Sequence, residues 1–500
     1  MTNIMQFPVG KIVGKQIDEL FQTAIKYNLS AYYDALDKFQ PNYFYDNWQR
    51  LVRSIDELIN LPLEIEDDKF FNDFISLDFD FSKASNGMQF QHVCSLLKSK
   101  FNENVSSRFQ HLVMMSFAIG KAFEMQGQDL GLSSIANGIA YYQSRRSYFV
   151  ATLNLIPKIS KGAKVITYID TLNELLPMLE NCLVQVTTAY YNLLINQCLP
   201  DFEMISDGKI AKGNFHYEHL EELFLNPQRL SLIDQLELRS EMVKPVDLLG
   251  KSDEKIFSFS EVRNTLSLFR AAYGRYEVSA SVEFNEIELL LDKISSFVRH
   301  DFHIIVDEKS YKEIASGFKK IVLYNDSTDY FNILNSYAPF QKVDKNYYST
   351  VVLFTRFVHN TLSAVLLKNK TFQIHSGFVF EEKASKILEE KGYKPTGFKR
   401  ISQKEFDLIT VKDGKVYNFQ CKNNLINISS VGLDYKKMGR LNNRLCRYYE
   451  NALIKEEGRE NLILSQTGLT DVSHFVISRY PVITRNNRII NFNKLEDWTL

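Results

Sequence analysis

Glu405-Phe-Asp-Leu-Ile-Thr-Val-Lys-Asp-Gly-Lys-Val-Tyr-Asn-Phe-Gln-Cys-Lys422 reads as a β-hairpin. Apolar, β-favouring residues flank Asp413-Gly414, a dipeptide that tolerates the positive φ angles of a two-residue turn. The turn sets the register: Lys412 faces Lys415, and counting back places Asp407 opposite Gln420 and Glu405 opposite Lys422. Because strand side chains alternate, Asp407, Gln420 and Lys422 are expected on one face, with Phe406, Leu408, Phe419 and Cys421 on the other. An acid, an amide and an amine thus converge beside two strands whose opposite face is apolar. A slip of one residue would scatter them.

The chain around this hairpin is long enough, at 500 residues, for two to four domains. Its 45% hydrophobic and 24% charged content is that of a folded globular protein and excludes a disordered scaffold. The start, Met1 to Pro8, has neither the basic head nor the apolar run of a signal peptide, and nowhere do about 18 consecutive apolar residues occur. The segment from Cys182 to Cys198 is interrupted by Gln185, Thr187, Thr188, Asn192 and Asn196, so it reads as a core helix. Five widely spaced cysteines without a CxxC pair argue against a disulfide framework and a zinc ribbon. A cytoplasmic protein without a membrane segment is expected.

Net charge is −1 but unevenly spread. Residues 1–370 hold 38 Lys and Arg against 45 Asp and Glu (−7), and residues 371–500 hold 21 against 15 (+6). A basic C-terminal part suits a phosphate backbone, although a solvated lysine-rich surface gives the same count.

Going along the chain, residues 1–205 read as a mainly helical domain. Leu112, Met115, Ile119 and Ala122 recur at helical spacing, as do Leu172, Leu175, Leu179, Leu183 and Val186, with Pro177 expected to kink or restart the second helix. Residues 206–370 read as a mainly helical region with a few short strands. Loops are expected around Pro200 to Gly213 and around Lys244-Pro245 to Ser252, followed by a capping box at Ser258-Phe-Ser-Glu261. Short β-like runs follow at Phe302 to Val306 and Lys320 to Tyr324, then an apolar helix over Tyr348 to Lys368.

Several tempting motifs here are weighed and mostly dropped. Gly10-Lys-Ile-Val-Gly-Lys15 is one residue short of a phosphate-binding loop and is followed by Gln16, and Leu249-Gly-Lys-Ser252 has Pro245 where the first glycine belongs. No P-loop ATPase is expected. His216/His219 and His300/His303 have a spacing that suits zinc, but lack nearby cysteines or the HExxH order. Tyr141-Tyr-Gln-Ser-Arg-Arg-Ser-Tyr-Phe149 interleaves aromatics with arginines, which reads either as a stacking surface for single-stranded nucleic acid or, more simply, as an ordinary helix.

In residues 371–500 independent signals agree. A helix over Gly377 to Gly392 buries Phe380, Ala384, Ile387 and Leu388, with Glu381 flanking that stripe and Glu382 on the wet side. A carboxylate on the flank of a core face needs a partner, and a metal ion or Lys422 would serve. After the hairpin, Tyr435 to Glu457 reads as a helix with Lys436, Lys437, Arg440, Arg444 and Arg447 along one side. The runs His474 to Ser478 and Arg488 to Phe492 complete an order of helix, strands, helix, strands, giving a small α/β sandwich.

Glu381 on the first helix, Asp407 on a strand and Gln420-Cys-Lys422 on the next resemble the PD-(D/E)XK nuclease superfamily. Within it the chain looks most similar to the Mrr-like restriction endonuclease group, which has QxK in place of the commoner acidic-x-Lys and a Phe-Glu pair on a helix ending in Gly-Tyr. The resemblance covers residues 371–500. It implies a restriction-endonuclease-like fold, a central mixed sheet flanked by helices, following a large, mainly α-helical N-terminal region. It further implies Mg²⁺, or Mn²⁺, held by Asp407, Glu381 and the Cys421 backbone carbonyl, with Lys422 orienting or deprotonating the attacking water. Gln420 departs from the majority pattern; one negative charge fewer weakens metal binding and favours a single-metal site. The implied activity is phosphodiester hydrolysis of nucleic acid, DNA before RNA, as in a restriction or anti-phage enzyme whose helical region recognises a substrate, a protein partner or another copy. The alternative is a nucleic-acid-binding or assembly protein whose nuclease-like fold has lost catalysis.

Overall fold

The apolar stripes of the first two hundred residues become a helical body in the computed structural model, which describes residues 7–65, 67–216, 256–278, 281–300, 302–318, 321–424, 426 and 431–499. The helices are α1 (Lys15–Asp37), α2 (Pro41–Glu64), α3 (Asp68–Ile75), α4 (Ala84–Lys100), α5 (Glu103–Glu124), α6 (Ile135–Ile159), α7 (Tyr168–Met178) and α8 (Val184–Cys198). Asp67, Asn102, Ser134 and Thr167 each accept a first-turn N–H and so start four of them. Leu172, Leu175, Leu179, Leu183 and Val186 are all buried. Instead of restarting after Pro177, the helix passes through a π-helical turn at Leu179–Leu183, which absorbs the irregularity that proline introduces. On α5 the buried face runs through Leu112, Ser116, Ile119 and Phe123, while Ala122 is exposed.

One sequence reading in this body is corrected, and one alternative is decided. The segment expected as a loop at Pro200 to Gly213 contains a hairpin, β2 (Glu203–Ser206) and β3 (Ala211–Gly213), whose turn is closed by Asp207 accepting the Lys209 and Ile210 N–H groups at 2.8 Å each. It joins β1 (Gly10–Val13) in an antiparallel sheet of order β1-β2-β3. The aromatic and arginine run on α6 offers no stacking surface: Tyr141, Tyr142, Tyr148 and Phe149 are core residues, Arg145 pairs with Glu180, and Arg146 pairs with Asp56.

In the middle of the chain, α9 (Phe259–Arg275) opens on the Ser258/Glu261 capping box, followed by α10 (Val282–Ile294). A sheet of order β4-β5-β7-β6 is built from β4 (Val298–Arg299), β5 (His303–Asp307), β6 (Gln341–Val343) and β7 (Asn346–Thr350), with α11 (Glu308–Ala315) and α12 (Tyr330–Leu334) between its strands. The apolar helix α13 (Val351–Leu366) begins at Thr350, whose hydroxyl accepts the Leu353 N–H at 3.2 Å, and not at Tyr348, which lies in β7. Tyr324 makes only an isolated bridge to Phe340, and Lys320 lies outside the described residues. So do His219 and the loop expected around Lys244 to Ser252. His303 is taken up by the Arg53 guanidinium at 3.3 Å.

The C-terminal part places a five-stranded mixed sheet between α14 (Lys370–Glu390) and α15 (Tyr435–Glu457). Its strands are β8 (Lys394–Pro395), β11 (Leu408–Lys412), β12 (Lys415–Lys422), β13 (Val472–Ser478) and β14 (Ile489–Asn491), in the order β14-β13-β12-β11-β8; β9 (Arg400–Ile401) and β10 (Lys404–Glu405) form a separate hairpin, and α16 (Glu460–Thr467) precedes β13. β8, β11 and β12 are antiparallel, whereas β12, β13 and β14 are parallel, the α15–α16 crossover making the switch. Phe380, Ala384 and Leu388 of α14 pack on Leu408, Tyr417, Phe419, Phe475 and Ile477, which form one face. Val416 joins Ile409 and Ile463 of α16 on the other.

The sheet is tied to the helical body through α15. Met438, Leu441, Leu445, Tyr449 and Leu453 belong to the same apolar cluster as α1 and α8. Gln22 donates to the Tyr435 hydroxyl at 2.8 Å, and Asn443 donates to the Gln197 carbonyl at 3.3 Å. At Gly439 a Cβ would stand 2.8 Å from the Gln197 Cβ. Among the described residues no single helix is long and apolar enough to cross a membrane.

An alanine in place of a helical glycine ordinarily stabilises by about 1 kcal/mol. Here Gly439→Ala must instead push α15 off α8, and is expected to destabilise by about 1–3 kcal/mol, read as a lower midpoint in urea unfolding. A stabilised variant would contradict this docking.

Candidate active site

Asp413 (φ 51°) and Gly414 (φ 76°) both adopt positive φ, and the ladder pairs Lys412 with Lys415 through to Leu408 with Phe419. The two-residue turn therefore holds the register read from the sequence as far as Leu408. Beyond it the chain bends. A second tight hairpin, with Ser402 and Gln403 at positive φ, pairs Glu405 with Arg400, whose guanidinium binds the Glu405 carboxylate at 2.7 Å. Glu405 consequently does not face Lys422. Phe406 likewise leaves the face of Leu408 and packs with Ile409 and Val416.

Asp407 sits at this bend, immediately before β11. One of its carboxylate oxygens accepts the Gln420 side-chain amide and, at 2.8 Å, the Cys421 backbone N–H. In an extended strand the N–H and C=O of one residue point to the same neighbour, so the Cys421 carbonyl shares the edge on which Asp407 lies. Burial pushes the Asp407 carboxyl up to about 6, the nearby Glu381 charge adds to the rise, and Lys422 opposes it. Burial raises Glu381 as well. Its side chain is 16% exposed, and its partner is Lys399 at 3.3 Å, a residue absent from the sequence reading.

Lys422 ends β12 on the side of the sheet facing α15. Burial lowers its ammonium from the ordinary value, with Asp407 and Glu456 acting the other way. Among the described residues no carboxylate lies within ion-pair distance of it; its ammonium stands 5.5 Å from the centre of the Tyr448 ring. The end of β12 is fixed to α14 by Asn423 donating to Ser376 at 2.9 Å. Glu381, Asp407, Gln420, Cys421 and Lys422 thus gather around one end of the β11–β12 pair. Lys436, Lys437, Arg440, Arg444 and Arg447 lie exposed on the neighbouring α15.

Glu456 is a further member that the sequence reading missed. It is 2% exposed, accepts from Asn418 at 3.1 Å and from Arg459 at 3.2 Å, and its charge reaches both Asp407 and Lys422. Asn418 also lies 3.1 Å from His474, whose buried imidazole is pushed towards its neutral form. The signal was present: Glu456 follows Tyr449, Ala452 and Leu453 by seven, four and three residues, in phase with the buried stripe.

The donor set can be tested against a metal ion. Among the described residues there is no group of three or more His, Cys, Asp and Glu side chains that would hold one, so a closed zinc site is not formed. Two carboxylates with a neighbouring peptide carbonyl fit Mg²⁺, which keeps several waters and takes few protein ligands. Both carboxylates carry a burial penalty on their charged forms that a cation would relieve. Comparison with family models, with curated proteins and with solved structures finds no match to this chain.

The raised Asp407 carboxyl has a consequence for stability. Between 3.8, its ordinary value, and about 6, the folded chain binds more protons than the unfolded chain, so stability falls as pH rises and the penalty is fully present above that window. Asp407→Asn keeps the accepting oxygen and removes the charge. The variant should be more stable at pH 7.5 by on the order of 1–2 kcal/mol, with the gain shrinking towards pH 4; a difference in melting temperature that does not change with pH would contradict the assignment.

Proposed function

We propose that this chain is a metal-dependent nuclease that hydrolyses phosphodiester bonds of nucleic acid, DNA before RNA. The observation carrying this reading is the grouping of Asp407, Glu381 and Lys422 at the end of β11 and β12, beside the exposed arginines of α15. The order α14, β8–β11–β12, α15, β13 on a mixed sheet supports the likeness to PD-(D/E)XK nucleases that the sequence suggested.

Asp407 and Glu381, with the Cys421 carbonyl, would hold Mg²⁺ or Mn²⁺, which when bound supplies a polarised phosphoryl oxygen and a more acidic water. The chain's own groups do the rest. Lys422, its ammonium lowered by burial, is suited to orient the attacking water and help take its proton. Its positive form offsets charge that develops at the scissile phosphate. Gln420 donates to Asp407 and holds the carboxylate in place, a role a third carboxylate could not fill. Arg440, Arg444 and Arg447 supply phosphate contacts along α15. The helical body, packed on α15, is suited to a trigger or partner, as in a restriction or anti-phage effector.

One observation favours a second reading, a nucleic-acid-binding protein without catalysis. One oxygen of Asp407 already accepts from two donors, and Glu381 is paired with Lys399. A cleavage assay on plasmid, single-stranded DNA and RNA with and without Mg²⁺ separates the two. The nuclease reading expects Mg²⁺-dependent cutting that falls by about 100-fold or more in Asp407→Ala and in Lys422→Ala, with metal-free binding retained. Variants that cut as well as the unsubstituted chain would refute the assigned site.

A further inference from the structure

Along α15 the side chains of Arg440, Asn443, Arg444, Arg447, Tyr448 and Asn451 line a cavity of about 430 Å³. Its lining holds three guanidiniums and no carboxylate. None of the three makes an ion pair among the described residues, so their mutual repulsion at three- and four-residue spacing is uncompensated by the fold. Stability does not account for this row. A polyanion does, because arginine forks suit phosphate oxygens.

Tyr448 narrows the choice of polyanion. The residue is 50% exposed, although it adjoins the buried stripe of α15. Tyr449 stands behind it at 5.7 Å between ring centres and is itself held by Asn424, which donates to its hydroxyl at 2.9 Å. Tyr448 lines the cavity and also neighbours the Lys422 ammonium, 5.5 Å from the ring centre. One side chain thus joins the arginine row to the candidate site. A free phosphate or an acidic peptide has no use for an exposed ring there. A nucleobase has one, since every base offers a π-face and stacking on tyrosine is tolerant of sequence. Bases inside a duplex are already stacked on both faces, so only an unpaired base fits this role.

We propose that this groove binds single-stranded nucleic acid, with an unpaired base stacked on Tyr448 and its backbone carried along Arg440, Arg444 and Arg447. Asn451 supplies an amide for the base edge or sugar, while the Asn443 amide is held by the Gln197 carbonyl. The inference deepens the nuclease reading and rests on it in one respect: stacking at Tyr448 brings the adjoining phosphate to Lys422. The cavity volume lies in the range of small-ligand sites, ~300–1,000 Å³, enough for a single base and its sugar.

Binding of a fluorescein-labelled oligonucleotide to the full chain in EDTA tests the groove without calling on catalysis. The single strand is expected to bind at least about tenfold more tightly than the same sequence as a duplex. Tyr448→Ala should weaken single-strand binding by about 5- to 100-fold, whereas Tyr448→Phe, which keeps the ring, should bind as the unsubstituted chain does. Arg444→Ala should weaken binding and reduce its salt dependence by about one ion. Duplex binding as tight as single-strand binding, or full single-strand affinity in Tyr448→Ala, would overturn the proposal. A chain that binds single strands in this way yet cuts nothing with Mg²⁺ sinks the nuclease reading and leaves the groove standing; one that cuts duplex and binds it through the arginines alone does the reverse.

Discussion

Helix α15 has to be buried on two sides at once. One side docks on α8, so closely that residue 439 has no room for a Cβ, and another lies on β12 and β13. Its remaining side carries Arg440, Arg444 and Arg447 into solvent. The helix is therefore shared by the core of the helical body and the core beside the sheet, and the candidate site lies against it. Glu456 and Tyr448, both on α15, act on Lys422, one through its charge and the other through its ring. A displacement of α15 against α8 would move both groups, which gives the helical body a physical route to the site.

At the site itself the governing constraint is charge held out of water. Asp407 and Glu381 are raised by burial and Lys422 is lowered by it, so each group is shifted towards its neutral form. Perturbed groups of opposite kinds in one place are what acid–base or metal chemistry requires, although ion-pair networks perturb them too. The distinction lies in the partners. Lys422 has the Tyr448 ring and no close carboxylate among the described residues, so its desolvation is not repaid by a salt bridge.

Much of this was legible in the sequence, for identifiable reasons. Asp413-Gly414 specifies its turn chemically, so the β11–β12 register followed from two residues. The helix over Tyr435 to Glu457 followed from the three- and four-residue recurrence of its basic side chains, and in the structure Asp434 starts it by accepting the Lys436 and Lys437 N–H groups. What failed lay where non-local structure overrides local pattern. Ser402-Gln403 has none of the residues that favour positive φ, so the β9–β10 hairpin was invisible, and with it the bend that removes Glu405 and Phe406 from the expected faces. Glu381 was placed correctly on the flank of its stripe, but Lys399, a loop residue 68% exposed, could not be foreseen as its partner. Glu456 was hidden by its neighbours, because a run of charges at a helix end reads as solvated unless its phase is checked against the buried stripe.

The central claim is that Asp407 and Glu381 form a cation site beside Lys422. Crystals soaked in Mn²⁺ test it through the anomalous signal of the metal. The account predicts one peak within oxygen-ligand distance, ~2.0–2.6 Å, of the Asp407 carboxylate, lost in Asp407→Asn; soaked crystals with no peak there, or with Lys399 still closing Glu381 and the metal bound elsewhere, would contradict it.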